Sequence, residues 1–153
     1  LAEVVLNQAE ACAELGDEAG AKKYVDMLRT RAGMPGLKLQ GDKDNNMGVS
    51  DLIWEVRRER RVELMYDKND RYWSLIRWRE LERLDTRKYE DQTLGAWVDS
   101  NFPYDAESVT LNKDGYISCK IKTERIFDNK YYLAPIPSDQ QFPESQIGQN
   151  PGW

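Results

Sequence analysis

The first 31 residues constrain the fold most strongly, because they contain two helical patterns separated by a single break. Within Leu1–Leu15, small and apolar residues recur at spacings of three and four, which places them on one helix face. Gly16-Asp17 interrupts this pattern, and Glu18–Arg31 continues with a second apolar face. Gly33 then stands where a helix stop is expected. These residues predict a helical hairpin that resembles one tetratricopeptide-type unit, which needs neighbours to bury its face.

The composition is that of a folded domain and argues against several classes of partner. The chain has 153 residues, of which 40% are hydrophobic and 32% are charged, which fits one globular domain. Its formal net charge of −5 argues against nucleic acid as the main partner and against an anionic membrane surface. No apolar run approaches the roughly 20 residues that span a bilayer. Because a helical pattern begins at Leu1 without a cap, the chain is expected to be part of a longer protein.

The middle of the chain predicts two further helices. Ser50 is a favourable N-cap, and a helix is predicted from Asp51 to about Tyr66. Lys68-Asn69 interrupts the pattern, and a shorter helix is predicted from Asp70 to about Leu84. Residues 1–35 are thus expected to form the helical hairpin, and residues 50–84 a charged helix pair.

The first of these two helices carries an acidic stripe at a spacing of four. Like charges at this spacing destabilise an isolated helix, so the stripe is expected to find cations elsewhere in the fold. Structural pairing is therefore preferred over a catalytic carboxylate pair, for which no spacing here provides two acids across a cleft. The stripe is Glu55, Glu59 and Glu63, and the candidate cations on the following helix are Arg71, Arg77 and Arg79.

Residues 85–153 predict a loop-rich region with a little β-structure. Asn112–Gly115 is a turn signal, and Tyr116–Phe127 alternates well enough for a strand. A second turn leads to another short strand at Tyr131–Ile136, and the tail after Pro137 is expected to lie over the surface. The predicted fold class is therefore mainly α, with tetratricopeptide-like helical hairpins, a C-terminal irregular region and a short β-hairpin.

The residues that most enzymes use are scarce in this chain. There is no histidine, and no phosphate-binding loop, dinucleotide motif or nucleophile elbow is present. The acidic loop at residues 42–46 fails the EF-hand spacing, so no metal, cofactor or catalytic residue is predicted. Cys12 and Cys119 are expected to be buried free thiols, and a disulfide between them is left open.

Five elements in order resemble the C-terminal region of the SusD/RagB family. Two departures affect local pairing: Ser74 replaces the usual Asp, and Asp67–Asp70 replaces the common Glu-Gly-x. The matching elements are Leu1–Val4 with Asn7–Glu10 ahead of Arg31–Pro35; Glu59, Arg60, Glu63 and Leu64; Arg71, Leu75, Arg77 and Trp78; Tyr132–Pro137; and Gln149–Trp153.

The resemblance implies a partial SusD-like α-α scaffold, with residues 1–153 forming the C-terminal part of a domain several times this length. It implies a glycan-binding protein with no catalytic activity, held at the bacterial outer-membrane surface by an N-terminal lipid that lies outside this chain. Its expected partners are a glycan ligand and a SusC-like TonB-dependent transporter. The family builds much of its glycan platform outside the segment represented here.

Three aromatic residues in loop-like contexts are the candidate glycan-binding residues: Trp97, Tyr104 and Tyr116. Loops carry binding residues more often than helices, although each of these rings can instead cover the core. The tryptophans on predicted helices are expected to belong to the core, because large aromatic side chains usually do. They are Trp54, Trp73 and Trp78, and the candidate acids for orienting sugar hydroxyls are Asp85, Asp91 and Asp105.

The alternative function is a tetratricopeptide-like adaptor that binds a peptide or protein and has no carbohydrate ligand. The helical hairpin favours it, but one unit offers too little concave surface for a peptide groove. The predicted strands and the proline-rich ending are also foreign to a simple repeat array. A glycoside hydrolase was the third possibility, and turnover of a chromogenic glycoside would distinguish it.

Overall fold

Helices dominate the first half of the protein, and loops with a small sheet make up the second. The computed structural model describes residues 1–39, 41, 45–67, 70–89, 94–98, 110–118, 124–140 and 148–153. These residues form two units, Leu1–Ser74 and Leu75–Trp153. The elements are α1 (Ala2–Glu14), α2 (Glu18–Arg31), α3 (Asp51–Glu63), α4 (Asp70–Arg77), β1 (Leu94–Trp97), β2 (Tyr116–Ser118), and 3₁₀ helices at Leu81–Leu84, Asn129–Tyr132 and Ser138–Gln140. The predicted class, mainly helical with a small antiparallel sheet, is confirmed.

The α1–α2 hairpin forms where the sequence predicts it, because both helix ends carry strong local signals. Gly16 adopts the left-handed conformation (φ +75°) that ends α1. Asp17 then caps α2 by accepting a hydrogen bond from the Gly20 N–H at 2.9 Å. Gly20 itself has no room for a side chain, because a Cβ there would lie 2.9 Å from the Cys12 Sγ. This close approach lets the two helices pack directly after the turn.

The core of the first unit forms where α1, α2 and α3 face one another. Small residues on α1 and α2 allow this close packing, and Leu37 folds back to join them from the loop after α2. The Leu37 N–H donates to Asp26 Oδ1 at 2.6 Å, which fixes that return. The main cluster contains Ala9, Cys12, Ala13, Ala21, Val25, Leu37, Leu52 and Val56, and a second contains Val5, Leu6, Leu28 and Leu64.

The acidic stripe on α3 is paired, as predicted, but its partners differ from those suggested by the sequence. Glu59 forms an ion pair with Arg29, and Glu63 forms one with Arg31. Both arginines lie on α2, so these cations come from the preceding helix, whereas the sequence analysis placed the candidates on the following one. Glu55 is fully buried, and Arg58 Nε lies 3.3 Å from its Oε2. Hairpin packing decides these pairs, because it brings α2 alongside α3.

Arg60, on α3, is a buried cation whose partners come from two other helices. Its Nη1 donates to Asn7 Oδ1 on α1 at 2.7 Å, and its Nε donates to Ser74 Oγ on α4 at 3.0 Å. Asp70, also on α4, supplies the carboxylate. A buried charge is tolerated only when it is paired and hydrogen-bonded, and these contacts meet both conditions.

Two predicted helices end earlier than expected. The helix predicted to reach Tyr66 ends at Glu63, and Tyr66 adopts a left-handed conformation (φ +73°) that a helix cannot continue through. The helix predicted from Asp70 to Leu84 is divided, since α4 ends at Arg77 and a 3₁₀ helix covers Leu81–Leu84. Apolar periodicity persists across each break, so it does not mark the boundary.

The prediction of a second hairpin strand at Tyr131–Ile136 is wrong. Residues Asn129–Tyr132 form a 3₁₀ helix, and the small sheet instead pairs β1 with β2. Of the strand predicted at Tyr116–Phe127, only Tyr116–Ser118 is in the sheet among the described residues. A 3₁₀ turn is favoured after Asp128 because its side chain caps the Lys130 N–H at 3.0 Å.

The two C-terminal elements that resemble the SusD/RagB family contact each other. The Gln149 side chain accepts from the Ile136 N–H at 2.7 Å and donates to the Ile136 carbonyl at 3.0 Å. The Trp153 indole N–H donates to the carbonyls of Lys130 and Leu133. Gly152 (φ +86°) makes this return possible, because a Cβ there would lie 3.0 Å from the Lys130 Cβ. The chain end is therefore folded back along residues 130–136.

Among the described residues, no helix combines the length and the apolar character that crossing a bilayer requires.

Candidate glycan-binding site

A tight turn at Asn112–Gly115 organises the small sheet of the second unit. The Asn112 side-chain oxygen accepts from the N–H groups of Asp114 and Tyr116 at 3.0 and 2.9 Å. The Gly115 N–H closes the turn on the Asn112 carbonyl at 3.2 Å, and Gly115 adopts φ +84°. Asparagine and glycine are the residue types that such a turn requires, so the turn predicted from sequence is confirmed. It delivers the chain directly into β2.

A bulge in β1 brings Trp97 opposite Tyr116. Leu94 pairs with Ser118 and Trp97 pairs with Tyr116, so β1 uses three steps where β2 uses two. One extra residue in β1 is the definition of a β-bulge. In an unbulged ladder the residue opposite Tyr116 would be Ala96. Gly95 accommodates the bulge, because a Cβ there would lie only 3.0 Å from the Ile117 Cβ.

Two of the three predicted site residues therefore form a cross-strand aromatic pair. Residues directly opposite each other in antiparallel strands share one face of the sheet. Trp97 is 57% exposed and Tyr116 is 38% exposed, so both residues keep part of their surface open to solvent. The Trp97 indole lies over Gly115, where an added Cβ would be 3.1 Å from Nε1. Tyr104, the third predicted residue, lies outside the described residues.

Asp85, which was expected to orient sugar hydroxyls, is instead buried, and both of its carboxylate oxygens accept hydrogen bonds. Asp85 Oδ2 accepts from Arg87 Nη2 at 2.9 Å and from the Phe127 N–H at 3.0 Å, and Oδ1 accepts from the Arg87 N–H. The Arg87 side-chain hydrogen bond and the Phe127 N–H hold the pKa of this carboxyl well below its usual range. Asp85 therefore links residues 85–87 to residue 127 and is not available to a ligand. Asp91 and Asp105 lie outside the described residues.

The helical tryptophans do not all belong to the core. Trp54 and Trp78 are half-buried under the guanidinium groups of Arg58 and Arg77, whereas Trp73 is 62% exposed. The core prediction for Trp73 is therefore wrong. Its ring packs edge-to-face on that of Tyr72, with centroids 5.5 Å apart. The sequence contained a signal: successive helical residues point about 100° apart, so Trp73 lies about 200° from the buried Leu75 and on the opposite side of the helix.

The described residues contain no group of three or more acidic or cysteine side chains that could hold a metal ion. Cys12 is buried in the first unit and carries a free thiol, and Cys119 lies outside the described residues. The described surface carries the exposed aromatic rings of Trp97 and Tyr116, which are suited to binding a ligand by stacking.

Comparison with known proteins agrees with this architecture. The solved structure of a SusD-like protein from Bacteroides fragilis NCTC 9343 is similar, with a TM-score of 0.65 and 28% sequence identity. The similarity covers 99% of this chain and 24% of that protein, so this chain spans about a quarter of its length. No curated protein matches the chain. The SusD family model matches residues 1–153, and because that match covers the whole length, this chain belongs to the SusD family.

Proposed function

We propose that this chain is part of a glycan-binding protein of the bacterial outer-membrane surface, which delivers its ligand to a TonB-dependent transporter. Family membership supports the carbohydrate ligand in general. Binding without catalysis is part of the same proposal and is supported by family membership alone. The lipid anchor, the surface location and the SusC-like partner are parts of the same proposal and rest on the family alone.

The observation that carries this proposal is the exposed Trp97–Tyr116 pair. A pyranose ring has one or two faces of C–H groups, and these pack favourably on a flat aromatic surface. Both aromatic residues leave part of their apolar surface exposed on one sheet face, where it can contact a ligand. The bulge at Gly95 places the two residues opposite each other, and the missing Cβ at Gly115 leaves room for the Trp97 indole. The arrangement is therefore suited to stacking on a sugar.

Calorimetric titration of the intact protein with neutral and acidic oligosaccharides tests the proposal. We expect Trp97→Ala and Tyr116→Ala each to weaken binding by about tenfold, equivalent to roughly 1.4 kcal/mol. Trp73→Ala is the matched control, since Trp73 is similarly exposed but lies on α4. Because both target side chains are exposed, the melting temperature should change little.

Three outcomes would argue against the proposal in different ways. If Trp73→Ala lowers the affinity and Trp97→Ala does not, the platform is the Tyr72–Trp73 pair and the site assignment is wrong. If no oligosaccharide binds, the carbohydrate ligand is wrong and a peptide or protein ligand, as in the adaptor alternative, takes its place. Release of product from a chromogenic glycoside would contradict the absence of catalysis.

A further inference from the structure

Arg79 is held in a backbone conformation that a side chain disfavours. It has φ +60°, immediately after the end of α4, and the Glu80 N–H donates back to the Leu75 carbonyl at 2.8 Å. This is the helix-terminating position that glycine normally occupies, because a Cβ is strained there. Non-glycine residues in such conformations concentrate at functional sites, where the strain is retained for what the side chain does.

The Arg79 side chain stacks on a rigid aromatic pair. Its guanidinium carbon lies 5.2 Å from the centroid of the Tyr132 ring. Tyr132 is fixed at both ends, since its hydroxyl accepts from the Leu81 N–H at 3.1 Å and its ring packs edge-to-face on Phe127. No carboxylate of the described residues forms an ion pair with Arg79. Its N–H groups are therefore directed by stacking alone and remain able to donate to a ligand.

Arg79, Phe127 and Tyr132 help to line a groove of about 480 Å³ in the second unit, which we call the Arg79 groove. Its volume falls within the range of small-ligand sites. The remaining lining is polar and provides both donors and acceptors. The lining residues are Arg79, Glu82, Lys88, Phe127, Asp128, Asn129 and Tyr132.

The charges of the Arg79 groove balance, and this decides the class of ligand. Two cations face two carboxylates, and one of each is already joined in the Lys88–Glu82 ion pair. One oxygen of the Asp128 carboxylate already accepts a hydrogen bond from the Lys130 N–H. A lining of zero net charge gives an ionic ligand no net electrostatic attraction, whereas the hydroxyl groups of a sugar can use the donors and acceptors that remain.

We propose that the Arg79 groove is a second saccharide subsite, which takes an uncharged sugar residue against Phe127 and Tyr132 while Arg79 donates to its oxygens. This inference rests on the glycan-binding function proposed above, and it adds a position and a ligand class. The subsite is distinct from the Trp97–Tyr116 pair, because no residue is shared between them.

Arg79→Gly separates a binding role from a structural one. Glycine relieves the backbone strain, so the melting temperature should stay unchanged or rise. Affinity for a neutral probe that the protein binds, chosen from maltohexaose, cellohexaose and mannohexaose, should fall about tenfold. Arg125→Ala is the control: Arg125 is an exposed arginine of the same unit that does not line the groove, and this variant should bind as the wild type does.

Asp128→Asn tests the ligand class. Asparagine keeps an oxygen that can cap Lys130, but it removes one negative charge, so the groove becomes net positive. Its affinity for hexagalacturonate should rise several-fold, while its affinity for the neutral probe stays within about twofold.

The outcomes distinguish this inference from the proposed function. If the wild type binds a neutral hexasaccharide and Arg79→Gly binds it equally well, the subsite is wrong while the glycan-binding function stands. If the wild type binds hexagalacturonate more tightly than any neutral probe and Arg79→Gly abolishes that preference, the ligand class is wrong. If the wild type binds no oligosaccharide, both proposals fail together.

Discussion

The guanidinium of Arg60 and the carboxylate of Asp70 form a two-point ion pair, with Nε 3.1 Å from Oδ2 and Nη2 2.5 Å from Oδ1. Asp70 also accepts from Ser74 Oγ at 3.2 Å. Position 74 is where the SusD/RagB pattern has Asp, so in this chain a carboxylate one turn earlier on α4 does the pairing.

Removing the carboxylate should destabilise the first unit strongly. Asp70→Asn leaves the Arg60 charge buried without a counterion, and breaking such a pair costs about 3 kcal/mol. Urea unfolding of the variant against the wild type measures this directly. Arg61→Met is the control, because Arg61 is exposed on the same helix and its replacement should cost no more than about 0.5 kcal/mol. Equal losses for the two variants would show that burial of the pair contributes nothing.

Moving the carboxylate to position 74 should rescue much of that loss. Ser74 Oγ lies 3.0 Å from Arg60 Nε, so an aspartate there is within reach of the same guanidinium. We expect Asp70→Asn with Ser74→Asp to recover more than half of the stability lost by Asp70→Asn alone. Ser74→Asp in the wild-type background should instead destabilise, since it places two carboxylates side by side. Strict additivity of the two changes in a double-mutant cycle would rule out this compensation.

The pairing of Gln149 with Ile136 should require both the donor and the acceptor of the Gln149 side-chain amide. Gln149→Glu keeps the acceptor for the Ile136 N–H but sets a carboxylate against the Ile136 carbonyl, which Gln149 Nε2 contacts at 3.0 Å. We expect a loss of about 1 kcal/mol and faster amide hydrogen exchange at Ile136.

The loss caused by Gln149→Glu should shrink at acidic pH, where the protonated carboxyl regains a donor. Gln149→Leu removes both hydrogen bonds and should show no such recovery. A Gln149→Glu variant with unchanged exchange at Ile136 would mean that the chain end contributes no stability.

Asp85 should make the second unit sensitive to acid. Because its pKa is held below the usual value of about 4, mainly by Arg87, Asp85 is charged in the folded protein under conditions where the unfolded chain takes up a proton. Its contribution to stability is therefore complete above about pH 4 and is lost as the pH falls toward its folded pKa.

Comparing unfolding of the wild type and Asp85→Asn between pH 2 and pH 5 tests this sensitivity. The unfolding free energy of the wild type should fall more steeply with decreasing pH than that of the variant. The difference in slope corresponds to the uptake of up to one proton per molecule on unfolding. Parallel pH profiles would assign the acid sensitivity to another group.

Trp97 and Tyr116 illustrate how far the candidate site could be predicted. Both were selected from sequence as aromatics in loop-like contexts, and their exposure agrees with that choice. Their direct pairing could not be predicted, because it depends on a bulge in a strand that the sequence analysis did not find. Arg79 was considered only as a partner for the acidic stripe, and its left-handed backbone has no signal in the residue type.

The ends of α1 and α2 and the starts of α2 and α3 could be predicted from residue types alone. Gly16, Asp17, Gly33 and Ser50 act through hydrogen bonds and backbone angles within a few residues, so tertiary contacts are not needed to interpret them. The acidic stripe likewise predicted partners outside its own helix, which is confirmed for Glu59 and Glu63, whereas Glu55 lies against Arg58 of the same helix.

Only the tertiary structure decided which groups separated in sequence meet. The pairing of Glu59 with Arg29, the burial of Asp85, the register of β1 with β2 and the return of Trp153 to Lys130 all join residues far apart along the chain. Such contacts depend on how whole elements pack, and a residue's preference for helix or turn carries no information about a distant partner. Local signals therefore determined the turn of the helical hairpin and the start of α3, and packing determined the surfaces on which the proposed sites are built.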